Sequence, residues 1–168
     1  PMRSSGVCAA NVPDGQAMWE TSNSLWAAVQ SGTHMVYHAA GWLEGGLCTG
    51  FEKLIMDADR LGSYQKVLSQ GLDTSDEAFA RDAYDEVAPG GHFLGSGHTM
   101  RNYQTAFYEP ALSDNENVES WEDGGSKDMR HRAYDHWNEM LSQYEAPPMD
   151  LALKEELSAH VAKRKEEI

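Results

Sequence analysis

A histidine, a tryptophan and a glutamate lie close together in the segment from residue 35 to residue 51, MVYHAAGWLEGGLCTGF. The segment opens with a short apolar run that does not alternate with polar residues, which is typical of a buried strand. His38 follows this run, where a strand of a βα barrel delivers a functional side chain. His38 is therefore a catalytic candidate, and the alternative is a core histidine bonded to the backbone.

A glycine-rich loop follows this histidine and carries Trp42 and Glu44. Gly41, Gly45 and Gly46 allow positive φ angles and the close approach of a large ligand to the backbone. An indole face beside a carboxylate suits a methylated ammonium group, which it attracts by cation–π interaction. The alternative is that Trp42 packs beneath the loop.

A second group of candidates lies in the segment GGHFLGSGH, residues 90–98. His92 and His98, together with His38 or Cys48, could form a zinc site. The His-x5-His spacing is not typical of zinc sites, however, and the sequence has no Cys-x-x-Cys motif. The glycines follow a predicted helix and no lysine accompanies them, which argues against a phosphate-binding loop.

Two predicted βα-like units position these candidates. Residues 2–8 and 34–38 predict short strands, and the helix between them starts near residues 11–14 and ends at Gly32. The exit of the first strand at Ser5 would border the histidine, and its hydroxyl could bond a ligand or simply form a turn. The connecting helix has an apolar stripe made of Met18, Ser22, Leu25, Trp26 and Val29.

The remainder of the chain predicts mostly helices. One starts at Phe51 and breaks near Gly62, and Thr74 with Glu77 forms a possible capping box for another that ends before Pro89.

A long polar loop is expected at 106–125, followed by a helix that Ser126 can cap and a last helix that starts at Asp150. The helix after Ser126 carries a regular apolar stripe. This stripe comprises Met129, Ala133, Trp137, Met140, Leu141 and Tyr144.

Composition narrows the classes of function. The chain has 168 residues with 13 Lys and Arg against 27 Asp and Glu, a net charge of −14. This charge argues against nucleic-acid and anionic-membrane partners. Two cysteines without a paired framework fit a reducing compartment, so a cytoplasmic protein is expected. No apolar stretch approaches the about 18 residues of a membrane span.

Two parallel strands are too few for a stable sheet, because both of their faces must be buried. A complete (β/α)8 barrel needs about 250 residues, so this chain is too short to form one. The sequence therefore predicts either the end of a larger barrel or the pairing of two copies. The chain also begins at Pro1 without a methionine, which suggests a piece of something longer.

Four segments together resemble the trimethylamine:corrinoid methyltransferase family, in the order in which that family carries them. They are VPDGQAMWE at 12–20, VYHAAGWLEGGL at 36–47, FEKLIMDAD at 51–59 and GGHFLGSGHTMRNY at 90–103, and the later WEDGGSKDMRHRA and YEAPPMD are similar too. The resemblance covers about the last third of a family member, which is an eight-stranded βα barrel. It implies an α/β fold, the carboxyl-terminal part of a TIM (β/α)8 barrel, with two parallel strands followed by mostly helices.

Within that fold, residues 1–110 would hold the last βα units and the glycine-loop segment. Residues 111–168 would form a helical carboxyl-terminal extension of the same domain. The resemblance also implies a reaction, in which a methyl group moves from trimethylamine or a quaternary amine to the cobalt of a corrinoid (cobalamin). A separate partner protein would carry that corrinoid, and a homo-oligomer is expected.

The resemblance implies site residues as well. His38 and Glu44 would be catalytic. The residues expected to face the substrate or the corrinoid are Ser5, Gly41, Trp42, Gly45, Gly46, His92, Phe93, His98 and Tyr103. No resident metal is expected.

Trimethylamine-specific members of the family contain pyrrolysine, which is absent from these 168 residues. The missing amino-terminal part of the protein could contain it, and other members without it demethylate quaternary amines such as glycine betaine. The choice of amine therefore stays open. The rival interpretations are a zinc-dependent methyltransferase and a non-catalytic half-barrel that binds a small molecule or a partner and dimerises through its exposed strand edges. As a fragment, the chain is expected to be inactive alone.

Overall fold

The computed structural model describes residues 3–167 as a mixed α/β chain that is mostly helical. Within this range, four short strands form two separate two-stranded sheets. The strands are β1 (Arg3–Ser5), β2 (Met35–Tyr37), β3 (Trp42–Leu43) and β4 (Cys48–Thr49). The α-helices are α1 (Gly15–Gln30), α2 (Phe51–Gln70), α3 (Arg81–Glu86), α4 (Gly97–Asn102), α5 (Val118–Asp123), α6 (Met129–Ser142) and α7 (Leu151–Glu166), with 3-10 turns at Glu44–Gly46 and Phe93–Gly95.

Strands β1 and β2 pair in parallel, as the sequence predicts, with Ser5 opposite Tyr37. The amide of Gly6 extends the pair by donating to the His38 carbonyl at 3.2 Å. Both strands are shorter than predicted, and Met2 of the first one lies outside the described residues. The expectation that β2 is buried on both faces is wrong here, since about half of Tyr37 is exposed (47%). Among the described residues, β1 and β2 each have only the other as a pairing partner.

Strands β3 and β4 form an antiparallel pair within the segment that the sequence predicts to be only a loop. Trp42 lies opposite Thr49, and Leu43 lies opposite Cys48. Strands of two residues carry no readable apolar period, which is why the sequence pattern does not reveal them.

Helix α1 begins beyond an N-cap at Asp14, whose side chain accepts hydrogen bonds from the amides of Gln16 and Ala17. Its end at Gln30 agrees with the predicted stop at Gly32. The predicted apolar stripe is partly confirmed, because Leu25 is buried and Met18 packs half-buried against an apolar cluster, whereas Trp26 is exposed. The fully buried face consists of Ala17, Thr21, Leu25 and Ala28. The chain after β1 passes close to this face, since a Cβ on Gly6 would meet Leu25 at 3.1 Å.

Helix α2 runs without a break through Gly62, so the predicted interruption is wrong. Glycine in a helix costs about 1 kcal/mol relative to alanine, but tertiary contacts override such propensities. Here the Tyr108 side chain packs where a side chain at position 62 would lie, since a Cβ there would sit 2.4 Å from the phenolic oxygen.

The predicted capping box at Thr74 and Glu77 is also wrong. The Ser75 hydroxyl accepts a hydrogen bond from the Ala78 amide at 3.2 Å, which closes a turn. Helix α3 begins only after Ala80, which adopts a left-handed backbone with φ of 50°. The predicted end of this helix before Pro89 agrees with the structure.

Helix α6 is not capped by Ser126, contrary to the prediction. The Asp128 carboxylate instead accepts from the His131 amide at 2.8 Å. The expected polar loop at 106–125 contains α5, whose N-cap is Asn117. The predicted start of α7 after Asp150 is confirmed, because the Asp150 side chain accepts from the amide of Leu153.

The chain divides into two compact units, residues 1–137 and residues 138–168. Met56, Leu112 and Ala133 form an apolar cluster in the first unit. On the predicted α6 stripe, Ala133 is buried, while Met140, Leu141 and Tyr144 in the second unit are exposed. The predicted division into residues 1–110 and 111–168 concerns the parent barrel and stays a prediction.

Among the helices of residues 3–167, none combines the length and the apolar character that crossing a membrane requires.

Replacing Gly62 by alanine should destabilise the chain although alanine favours helix. The added Cβ would clash with the Tyr108 hydroxyl, and overpacking of this kind costs about 1–3 kcal/mol. Denaturant unfolding of Gly62→Ala measures the loss. Gly15→Ala is the matched control, since open space surrounds that position. A Gly62→Ala variant as stable as its parent would contradict the packing of Tyr108 against α2.

Candidate functional site

The strand-end residues His38 and Trp42 lie side by side, as the sequence predicts. Their ring centroids are 4.9 Å apart with the planes at 71°, an edge-to-face arrangement. The His38 side chain is exposed, and the residue has a left-handed backbone with φ of 51°. Such a backbone is uncommon for residues other than glycine and occurs often at functional sites. The exposed imidazole argues against the core-histidine alternative.

The three loop glycines all have the positive φ angles that the sequence analysis expects. The φ values are 85° at Gly41, 64° at Gly45 and 93° at Gly46. Gly41 is buried, and a Cβ built on it would contact Leu54 at 3.4 Å. Any other residue at these positions would therefore be strained.

The loop rests on the segment that follows β1. The amide of Glu44 donates to the carbonyl of Ala10 at 2.9 Å, and the amide of Gly45 donates to that of Cys8 at 2.8 Å. The Glu20 carboxylate of α1 fixes this segment, because it accepts hydrogen bonds from the amides of Ala9 at 2.6 Å and Ala10 at 3.3 Å. Hydrogen bonds from the Gln16 side chain and the Ala9 amide lower the pKa of Glu20.

The side chains of Glu44 and Cys48 form a hydrogen bond, in which the thiol donates to the carboxylate at 3.1 Å. This bond raises the pKa of Cys48, so the exposed thiol stays protonated at neutral pH. Glu44 is exposed and therefore accessible to a cation from solvent.

Ser5 forms a local turn, in which its hydroxyl accepts from the amide of Val7 at 3.2 Å. This is the turn interpretation of the strand exit, and it does not exclude a second bond to a ligand. The role of Ser5 toward a substrate stays a prediction.

The second predicted group forms a separate cluster on α3, α4 and the turn between them. The Phe93 ring lies edge-to-face on Tyr84, with centroids 5.4 Å apart. His98 bonds through Nε2 to the carbonyl of Glu77 at 2.9 Å. His92 and Tyr103 are exposed. Within residues 3–167, the ring contacts and hydrogen bonds of Phe93 and His98 are made to Tyr84 and Glu77, and those of His38 and Trp42 lie in the other group.

The part of the chain that the structure describes contains no group of three or more His, Cys, Asp or Glu residues placed to hold a metal ion. The zinc-dependent alternative therefore finds no ligand set in residues 3–167.

The sequence analysis missed a buried polar network below the strand-end loop. Lys53 and Asp57 of α2 form an ion pair at 2.5 Å, and both side chains are fully buried. The ammonium also donates to the Thr21 hydroxyl at 2.9 Å, and that hydroxyl donates to the carbonyl of Gly6 at 2.8 Å. On the other side, the amide of Gly41 donates to Asp57 at 2.8 Å.

Burial raises the pKa of Asp57, while hydrogen bonding and the charge of Lys53 act in the opposite direction. The available signal was the Lys-x-x-x-Asp spacing on one helix face, within the segment FEKLIMDAD. This spacing usually marks a solvated surface pair, so it does not predict burial.

With the parallel strand pair and its exit loop described, the class of protein can be assigned. The chain matches the family described as trimethylamine methyltransferase (MTTB) along residues 1–168. It belongs to this family, as the resemblance of its motifs indicates.

Three curated relatives illustrate the match. The glycine betaine methyltransferase of Desulfitobacterium hafniense is 32% identical over 169 residues, which cover 100% of this chain and 35% of that protein. The trimethylamine methyltransferase MttB2 of Methanosarcina mazei is 29% identical over 92% of this chain and 30% of its own length. The L-carnitine:corrinoid methyltransferase of Eubacterium limosum is 30% identical over 88% of this chain. The chain thus spans about a third of the length of the first relatives.

The lowered pKa of Glu20 predicts a specific acid dependence of stability. The folded-state pKa lies below the ordinary 4.5, so the ionised carboxylate stabilises the fold above about pH 4.5. This contribution is lost as the pH falls through the folded-state pKa. Glu20→Gln should therefore lower the urea midpoint near neutral pH and flatten its decline in acid.

Urea titrations across this acid range measure the effect, with the exposed α5 residue changed in Glu119→Gln as the control. An unchanged acid profile in Glu20→Gln would show that the carboxylate does not hold the segment after β1.

Proposed function

We propose that the natural protein containing this chain transfers a methyl group from a methylated amine to a corrinoid carried by a separate protein. The match of the whole chain to the trimethylamine methyltransferase family carries this proposal. Relatives named for glycine betaine, trimethylamine and L-carnitine leave two classes of amine, trimethylamine and quaternary amines.

The fold we propose for the parent protein is a (β/α)8 barrel, with residues 1–110 providing its last βα units and residues 111–168 a helical extension. Two observations support it. The strands β1 and β2 are parallel and α1 connects them, which is the repeating unit of such a barrel. A parallel pair with an exposed face also needs further strands or helices to cover it.

The amine site in this proposal lies at the carboxyl ends of β1 and β2. Trp42 provides an aromatic face and Glu44 a negative charge, and both attract a quaternary or protonated ammonium group. His38, held edge-on against the indole, would align the cation and limit its motion. Gly41, Gly45 and Gly46 let the ligand approach the backbone closely.

The corrinoid cobalt supplies the nucleophile that receives the methyl group. The residues present fit a protein that delivers it, because exposed aromatic and imidazole groups surround the glycine turn at 90–97. Phe93 is 44% exposed and Tyr103 is 58% exposed. With His92 and His98, they form the surface that we assign to the corrinoid partner. A homo-oligomer is also part of this proposal.

Methyl transfer can be tested directly with the natural protein. It is mixed with a reduced corrinoid protein and, in separate reactions, with trimethylamine, glycine betaine or L-carnitine, and methylcobalamin formation is followed by absorbance. We expect methylation with at least one of these amines. Amine binding without any methyl transfer would instead favour a non-catalytic binding module, and the absence of both would contradict the proposal.

Replacing His38 by alanine should lower kcat/KM for the amine by at least about tenfold, because the cation loses its alignment. Stability should change by less than about 0.5 kcal/mol, since the side chain is exposed. His38→Asn should lose activity equally while tolerating the left-handed backbone, which separates the imidazole from backbone strain. The exposed α6 residue changed in His136→Ala is the control. Full activity of the His38→Asn variant would show that His38 is not part of the amine site.

A further inference from the structure

We infer that Asp57 is a positioning residue for the amine site and acts through the backbone of the loop that carries Trp42. This role depends on the proposed function. The evidence for it is the geometry of α2 and of the loop that carries Trp42. Asp57 is fully buried, so it would act without touching the substrate.

Asp57 contacts the backbone of the loop at Gly41. The Gly41 amide donates to Asp57 Oδ2 at 2.8 Å, and both residues are buried. Gly41 lies directly before Trp42 and has a φ of 85°, one of several conformations open to glycine, so a fixed partner is needed to select it. The carboxylate supplies the acceptor that keeps this turn, and with it the direction of the Trp42 ring.

The same network reaches the other strand exit. The Lys53 ammonium connects Asp57 to the Thr21 hydroxyl, which donates to the carbonyl of Gly6 after β1. One buried network therefore holds the backbone beyond both parallel strands. The strand pair itself and the bond from the Gly6 amide to the His38 carbonyl join the two exits directly, and the network on α2 fixes the backbone that follows each of them.

The ion pair between Lys53 and Asp57 is not explained by its contribution to stability. Desolvation of a buried ion pair often costs as much as its attraction returns, and apolar replacements of similar volume are frequently neutral or stabilising. Stability alone therefore does not explain a buried lysine and aspartate in a small core. Positioning of the two strand exits does explain them.

Two double variants separate the acceptor from the charge. Lys53→Met with Asp57→Asn removes the ion pair but keeps a side-chain oxygen that can accept from Gly41. Lys53→Met with Asp57→Leu removes both. Because neither variant leaves an unpaired buried charge, both are expected to fold. In the natural protein, the leucine variant should lose about 10- to 100-fold in kcat/KM for the amine, and the asparagine variant should retain most of it.

Hydrogen exchange of the segment 38–46 gives a readout that does not depend on activity. The leucine variant should exchange faster at this segment than the parent, and the asparagine variant should resemble the parent. Asp59→Ala is the matched control, because Asp59 is a neighbouring α2 carboxylate that holds the amides of Ala111 and Leu112 instead. It should lower thermal stability and leave exchange at 38–46 and the kinetics unchanged.

Equal exchange in the leucine and asparagine variants would overturn the positioning role, and so would equal kinetics. If the parent protein transfers no methyl group, the proposed function fails, and faster exchange in the leucine variant alone would still show that Asp57 holds the loop.

Discussion

The buried ion pair between Lys53 and Asp57 is the interaction on which the two strand exits depend. An isolated charge in a protein interior is costly, so each member requires the other and neither can be lost singly without a penalty of about 3–5 kcal/mol. Through Thr21 the pair holds the carbonyl of Gly6, and through Asp57 it holds the amide of Gly41. The helix therefore adds fixed contacts to the backbone that follows each of the two short paired strands.

Carboxylates that accept backbone amides recur through the first unit. Glu20 holds the segment after β1, Asp57 holds the loop after β2, and Asp59 holds residues 111–112 against α2. The chain has a net charge of −14, and not all of its acidic side chains serve only to solvate the surface. Several of them accept hydrogen bonds from loop amides that have no partner in a helix or a sheet.

Sequence patterns predict the elements that are determined by residues close together in the sequence. The apolar run before His38, the glycine turn after it and the Asp150 cap are each encoded within a few residues. Features that depend on distant neighbours were not predictable. Gly62 stays helical because Tyr108 packs over it, and the Lys53–Asp57 spacing gives no sign that the pair is buried. The functional roles of His38, Glu44 and the cluster at 92–103 remain predictions.

Membership of the trimethylamine methyltransferase family and the strand-end geometry lead to one central claim, that a methylated amine binds against Trp42 and His38. A crystal structure of the natural protein with trimethylamine or glycine betaine bound tests it most directly. The account predicts the ammonium group within about 6 Å of the Trp42 ring centroid, beside the exits of β1 and β2. An amine bound at a site to which neither Trp42 nor His38 contributes would contradict it.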